Sequence, residues 1–245
     1  MKQLPVTTII LSNKAVEEIR STIHSVLWSS QIIVMQDSFY DKSAALPENV
    51  KIVLRNLSKN FSDQRNAGLS LAKNSWVFFL DSDEVVSLEL AKEIESAIKS
   101  KKYSGYFIPR QDYLLKRALM FGEAGNMKLL RLAKKDAGSW SRPVHEIWNV
   151  RAEVGKLKSP IIHKPHQSIS SFLEKINAYT SIEAQYRKTE GKKFSMIELM
   201  LYPFIKFFLN YVFKLGFLDG YPGFVLAYCM SMHSLIVRVK MYERT

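Results

Sequence analysis

The residues best suited to chemistry are three carboxylates packed into four positions, Asp81, Asp83 and Glu84, at the end of the run VFFLDSDE, residues 77–84. Like charges this close repel one another and resist desolvation, so the cluster calls for a positive partner. An Asp-x-Asp pair at a strand end can share one hard cation, and Mg²⁺ or Mn²⁺ is commonly held by one or two carboxylates together with substrate phosphates. The alternative is capping: acidic residues just before SLELAKEI would favour the amino end of the following helix. Sixteen residues upstream of Asp81 stands Arg65, in QRNAGLSLA, whose guanidinium matches a phosphate or a carboxylate. Its alternative is an ion pair with Asp63 or another acidic neighbour. A third cluster, Glu146 with His145, His163 and His166, has the makings of a zinc site, although no cysteine pair or His-Glu-x-x-His helix frames it. Histidines hydrogen-bonded within a loop are the plainer reading.

The elements that must position these groups follow from hydrophobic periodicity. PVTTIILS, QIIVMQD, NVKIVL and SWVFFL read as buried strands; AVEEIRSTIHSVLW, capped by Asn13, SDQRNAGLSLAKN and SLELAKEIESAIKS read as helices. Strand, helix, strand, strand, helix, strand, helix is the rhythm of an α/β fold with a mostly parallel, Rossmann-like sheet between helices. Ligands of such sheets gather beyond the carboxyl ends of the strands, where Asp37 and Asp81 both fall. After Gly105 the pattern loosens. YFIPR and MKLLRLAKK read as strands, YLLKRALMFG as a short helix or loop, and WSRPVHEIW and VGKLKSPIIHKPH as loops with short strands. SFLE, residues 171–174, has capping-box spacing and opens a helix to about Lys188. The expected division is a catalytic domain over residues 1–168 and a helical region over 169–245.

Charge and composition narrow the partners. The 245 residues carry a net charge of +12 with 47% hydrophobic residues, which makes a globular chain that suits nucleic acid, an anionic membrane or a phosphate-bearing substrate. A basic nucleic-acid-binding module is disfavoured because the acidic cluster would repel a phosphate backbone. One cysteine, Cys229, excludes an intrachain disulfide, and MKQLPVTTIILSN is too short and polar an apolar run for a secretory signal, so a cytoplasmic location is expected. From residue 195 to 237 the chain is dense in Phe, Tyr, Met and Leu but interrupted by Lys206, Lys214 and Asp219. A spanning helix needs roughly 20 apolar residues, and the piece free of charges, residues 220–237, holds two glycines, a proline and a histidine. Helices lying in the membrane interface are therefore favoured over a span, with nearby Lys192, Lys193, Arg238 and Lys240 suited to anionic lipid.

VTTIILSN, IIVMQDSFYDKS, FSDQRNAGLSLAKNSWVFFLDSDEVVSLELAKEI and RPVHEIW, in that order and spacing, resemble the family-2 glycosyltransferases. The branch that adds glucose to bacterial lipopolysaccharide core is the most similar, and the tail LGFLDGYPGFVLA resembles its carboxy-terminal segment. The resemblance implies the nucleotide-diphospho-sugar transferase fold and an inverting, metal-dependent transfer of a hexose from a nucleotide sugar, UDP-hexose first, to a lipid-linked saccharide of the cell envelope. It implies Asp37 at the nucleobase, Arg65 at the nucleotide, Asp81 and Asp83 at the ribose, diphosphate and Mg²⁺ or Mn²⁺, and Glu146 as catalytic base. His163 is a further candidate for holding the metal-diphosphate. The sequence departs from the family pattern at Lys14, where an acidic residue is common, and at Phe39, Tyr40 and Asp41, where a Gly-Ser-Thr-Asp turn is common. A catalytically inactive scaffold on the same fold is the further alternative.

Overall fold

The computed structural model describes residues 2–37, 45–58, 60–100, 102–125, 127–164 and 168–243. Phe39, Tyr40, Asp41 and His166, singled out above, lie outside the described residues. The chain forms two compact units, one of Met1–Arg110 with Lys128–His163, the other of Gln111–Met127 with Lys164–Thr245.

In the first unit, four apolar runs form the parallel strands β1 (Leu4–Ser12), β2 (Ser29–Gln36), β3 (Val50–Leu54) and β4 (Trp76–Asp81), paired in the order β3-β2-β1-β4. Their side chains alternate between two cores. Val6, Ile10, Phe78 and Leu80 face α1 (Arg20–Ser25) and α3 (Leu88–Lys99), whereas Ile9, Leu11, Val77 and Phe79 face α2 (Phe61–Leu71). Both faces being covered, the strands read as continuous hydrophobic runs, as buried parallel strands do. Gly68 lets α2 lie close on the sheet, since a Cβ there would stand 2.7 Å from Ile9 Cγ2.

Beyond β4 the sheet turns mixed. β8 (Lys128–Lys134) runs antiparallel to β4, and β6 (Gly105–Leu114) antiparallel to β8. Short β5 (Glu84–Val86) and β12 (Ile161–His163) pair antiparallel at the far edge, and β11 (Val154–Lys156) lies along β6. β9 (Gly138–Ser141) and β10 (Ile147–Val150) make a separate hairpin. Its Trp140 and Trp148 are directly opposite, stacked at 5.2 Å, and both meet Phe79 edge-on at about 5 Å. The fold is the mixed α/β arrangement expected, with an apolar helical carboxy-terminal part.

Three local expectations are corrected. Asn13 caps no long helix: Lys14 N–H instead bonds Ser12 Oγ, a 3-10 turn follows over Val16–Ile19, and α1 is six residues long. The stretch YLLKRALMFG is not a helix, because β6 continues to Leu114 and turns into β7 (Arg117–Ala118) through Leu115 and Lys116, both with left-handed backbone. The cap of α4 (Ile169–Thr189) is Ser168, whose side chain accepts from Ser171 N–H, so the helix starts before SFLE.

The second unit packs α4 against α6 (Tyr221–Tyr242) and α6 against α5 (Met196–Phe208), which runs on through a π turn over Leu209–Phe213. Phe172, Ile176 and Cys229 lie in its core with Leu114 and Leu119. Asp219 joins the pieces, accepting from Met120 N–H at 3.0 Å and Phe121 N–H at 2.9 Å.

Candidate active site

The candidate site is built from the carboxyl ends of the parallel strands in the first unit. Register places Leu11 beside Asp81 on one side of β1 and Ser12 beside Gln36 on the other, so Asp81 and Asp37 emerge at one edge. Asp37 holds the loop after β3, its carboxylate accepting from Leu57 N–H.

Arg65 and Asn66 are consecutive on α2 and do different work. Asn66 fastens the hairpin, accepting from Trp140 N–H and donating to Trp140 C=O, each at 2.9 Å. The first residue of α2 adds a bond from Phe61 N–H to Pro143 C=O at 3.0 Å. With the hairpin tied down, Arg65 lies over the Trp140 ring at 4.7 Å and reaches two carboxylates, Asp81 Oδ1 at 2.7 Å and Glu146 Oε1 at 3.4 Å. Arg65 therefore pairs with acidic residues of the site, while Asp63 is engaged by Asn60 at the helix cap. Glu146 follows His145, whose φ of 52° is left-handed, as is that of Arg142 at 72°. A backbone held in this region needs surroundings that enforce it, which the bonds from α2 supply.

The positive partner of Asp81 has a second half that sequence reasoning missed. Arg131, central in β8, sends its guanidinium to both oxygens of Asp81 and, at 3.4 Å, to Glu84 Oε1; Arg110 approaches the same Glu84 oxygen at 3.8 Å. Glu84 also accepts from Asp81 N–H at 2.8 Å and has no exposed surface. Asp81 is thus gripped by two guanidiniums and by its own backbone's bond to Glu84. Burial alone would raise its pKa, yet Arg131 and Arg65 hold it well below the usual carboxylate range. Glu84 goes the other way, pushed up by burial, which Arg131 only partly offsets, and by the neighbouring Asp81 charge. The signal available in the sequence was a lone arginine inside the apolar run LLRLA: a basic residue at an inward strand position requires an acid to meet it.

Asp83 stands apart from this clamp. Pairing of β5 with β12 sets Glu84 opposite His163, and the imidazole Nε2 lies 3.4 Å from Asp83 Oδ1. The structure thus brings Arg65, Asp81 and Glu146 together, and separately Asp83 with His163. Among the described residues no group of three or more His, Cys, Asp or Glu side chains could hold a metal ion by themselves, so the zinc cluster gains no support there. One carboxylate and one imidazole could supply two ligands to a cation completed by a diphosphate and water; the carboxylate suits Mg²⁺ and Mn²⁺, whereas imidazole is the more usual ligand of later transition metals. Asp81, with both oxygens on guanidiniums, is the poorer ligand of the two.

In a mixed α/β sheet of this kind the edge where the parallel strands end, here lined by Asp37 and Asp81, is where ligands bind. The chain belongs to glycosyl transferase family 2, whose model matches residues 8–139. An uncharacterized glycosyltransferase of Rickettsia typhi is 26% identical over 243 residues, covering 90% of this chain and 82% of that protein. One of Rickettsia conorii is 27% identical over 214 residues, covering 80% and 75%. Among solved structures, Staphylococcus aureus TarS 1–349 in complex with UDP-GlcNAc aligns over 99% of this chain and 89% of its own at a TM-score of 0.51 with 13% identity, a likeness of fold.

Proposed function

We propose that the chain is an inverting glycosyltransferase that moves a hexose, glucose first, from a uridine diphosphate sugar to a lipid-linked saccharide of the cell envelope such as lipopolysaccharide core, working on the cytoplasmic face of the membrane. Residues 1–168 carry catalysis in this reading and residues 169–245 bind the membrane. The observation that carries it is the double grip of Arg65, which fixes the Glu146 carboxylate beside Asp81 at the strand end. Uridine as the base is supported by TarS, which binds UDP-GlcNAc on a similar fold. The envelope acceptor is supported by the resemblance of the tail to the lipopolysaccharide-core branch.

The residues divide the work. Asp37, at the end of β2, receives the nucleobase, and Arg65 supports the nucleotide end by holding the loop and strand around it. Asp81 keeps the turn of residues 81–84 in place. Asp83 and His163 would hold Mg²⁺ or Mn²⁺, which when bound offsets the negative charge that grows on the departing diphosphate. Glu146 takes the proton of the acceptor hydroxyl as that oxygen attacks the anomeric carbon from the face opposite the diphosphate, so the configuration inverts. Arg65 keeps this carboxylate from swinging away, which preserves attack geometry.

A panel of nucleotide sugars, scored by thermal stabilisation with and without Mn²⁺, tests the reading. The true donor should raise stability by about 2.7 kcal/mol at a hundredfold excess over its Kd. With Asp83→Ala the manganese-dependent part of this gain should vanish while the melting of the unliganded protein stays cooperative. Equal metal-dependent stabilisation in the variant overturns the assignment of Asp83, and no stabilisation of the native chain by any nucleotide sugar overturns the donor class.

A further inference from the structure

We infer that the chain docks on an anionic bilayer through one defined surface, the outer face of α5 and its π turn, and that this hairpin is embedded from one side and does not span. This deepens the membrane location proposed above, and its test is independent of sugar transfer.

The pattern on α5 is inside out. Met196, Ile197, Met200, Leu201, Phe204, Ile205, Phe208, Leu209, Val212 and Phe213 form two adjacent columns at four-residue spacing, each residue between 41% and 76% exposed. Apart from the Tyr202 ring they are the large exposed side chains of this stretch, whose charged residues are Glu198, with a half-exposed side chain, and Lys206. Lys206 and Asn210 turn toward Glu123 instead, and Glu198, at the start of the helix, is held by Arg238. Lys206 Nζ pairs with Glu123 at 2.9 Å, Asn210 donates to Glu123 Oε2 at 3.2 Å, and Glu198 pairs with Arg238 at 3.4 Å. A helix in water does the reverse, burying its apolar stripe and wetting its charges.

The face fits hydrocarbon better than a protein partner. An interface between proteins carries about one hydrogen bond per 100–200 Å², and ten neighbouring side chains without a polar group offer none. Basic residues stand at both ends of the stripe, exposed Lys192 and Lys193 before it and exposed Lys214 after it, where lipid headgroups would lie. The apolar surface continues around the turn through Leu215, Phe217 and Leu218 to Tyr221, Phe224 and Tyr228 on α6.

A span is disfavoured by what lies behind this surface. Both Met196–Phe213 and Tyr221–Tyr242 are long and apolar enough to cross a membrane, yet α6 packs on α4, which exposes Glu174 and Lys188. Only one side of the helical layer can enter lipid, to the roughly 5–10 Å depth of an interfacial helix.

The full chain, purified in mild detergent and diluted into vesicles of phosphatidylcholine with 30% phosphatidylglycerol, should float with them. Phe204→Glu with Phe208→Glu should lower the floated fraction at least about tenfold, with far-UV circular dichroism and donor-induced thermal stabilisation unchanged. Should that variant misfold, Phe208→Trp serves in its place: lipids brominated on their acyl chains should quench its added emission. Equal flotation of the charged variant, no quenching at position 208, or a vesicle-indifferent dimer that the same charges dissolve would each overturn the inference. So would protease access to the α5–α6 turn from the far side of sealed vesicles. Loss of nucleotide-sugar binding by the native chain would overturn the proposed activity and leave this surface standing.

Discussion

Asp81→Asn is expected to lower the folding stability of the chain by about 3 kcal/mol, because it leaves two buried guanidiniums without the charge that holds them. Arg65 and Arg131 side chains are only 5% and 6% exposed, and Asp81 is the carboxylate they share. Glu146 and Glu84 remain as weaker partners, both at 3.4 Å, which is why the expected loss sits at the lower end for a broken buried pair. For a chain of this size the melting temperature should fall by about 6–12 °C. Asp83→Asn, two residues away, should cost less, since it weakens the contact to His163 and leaves the pairs of Arg65 and Arg131 with Asp81 in place. The contrast is the informative part: the first aspartate is expected to act on folding, the second on the donor. Equal melting temperatures for the two variants would remove Asp81 from the clamp. The acid response follows with its sign. The folded Asp81 is held below its ordinary pKa, so its contribution is present above that ordinary value and is lost as pH falls through the depressed one. Chemical denaturation from pH 7 into the acid range, with and without Asp81→Asn, should show a difference that shrinks only at the acid end.

Much of the first unit was legible because its strands are buried on both faces. β1, β2 and β4 are unbroken apolar runs whose ends coincide with Ser12, Gln36 and Asp81, so the edge that gathers ligands could be located from sequence alone. Asp81, Asp83 and Asp37 were legible for the same reason. What the sequence hid was pairing at long range. That Asp81 needed a positive partner was clear from the crowding of carboxylates, but Arg131 lies 50 residues downstream on β8, which pairs antiparallel with β4, and nothing local announces that register. In sequence Glu84 reads as one more acid of the crowded cluster; in the structure it is wholly buried, and β5, three residues long, gives too short a pattern to reveal it. The contact of Glu146 with Arg65 spans 81 residues and depends on Asn66 bonding Trp140, a link between two loop-like stretches. In the second unit composition suggested lipid, but only the structure shows Lys206 and Asn210 turned onto Glu123.

Glu146→Gln is expected to reduce turnover by 10²–10⁴-fold, the usual worth of a positioned general base, while leaving donor affinity within about twofold. The amide keeps the shape of the side chain and can still accept from Arg65 Nε, so the hairpin should stay where it is. Arg65 also retains Asp81 at 2.7 Å, and the melting temperature should barely move. This separates a base from a mere support: a supporting role would disturb donor binding and stability together, whereas a base is felt only when the acceptor hydroxyl must lose its proton. Glu146→Asp offers the finer control, since it keeps the charge but withdraws it by one methylene and should lose part of the rate through misplacement alone. Steady-state kinetics with donor titrated at saturating acceptor, beside donor binding measured in the acceptor's absence, decides the matter. Should Glu146→Gln keep more than about a tenth of native turnover, another group must take the proton, and the grip of Arg65 on Glu146 would then serve only to hold β10 against α2.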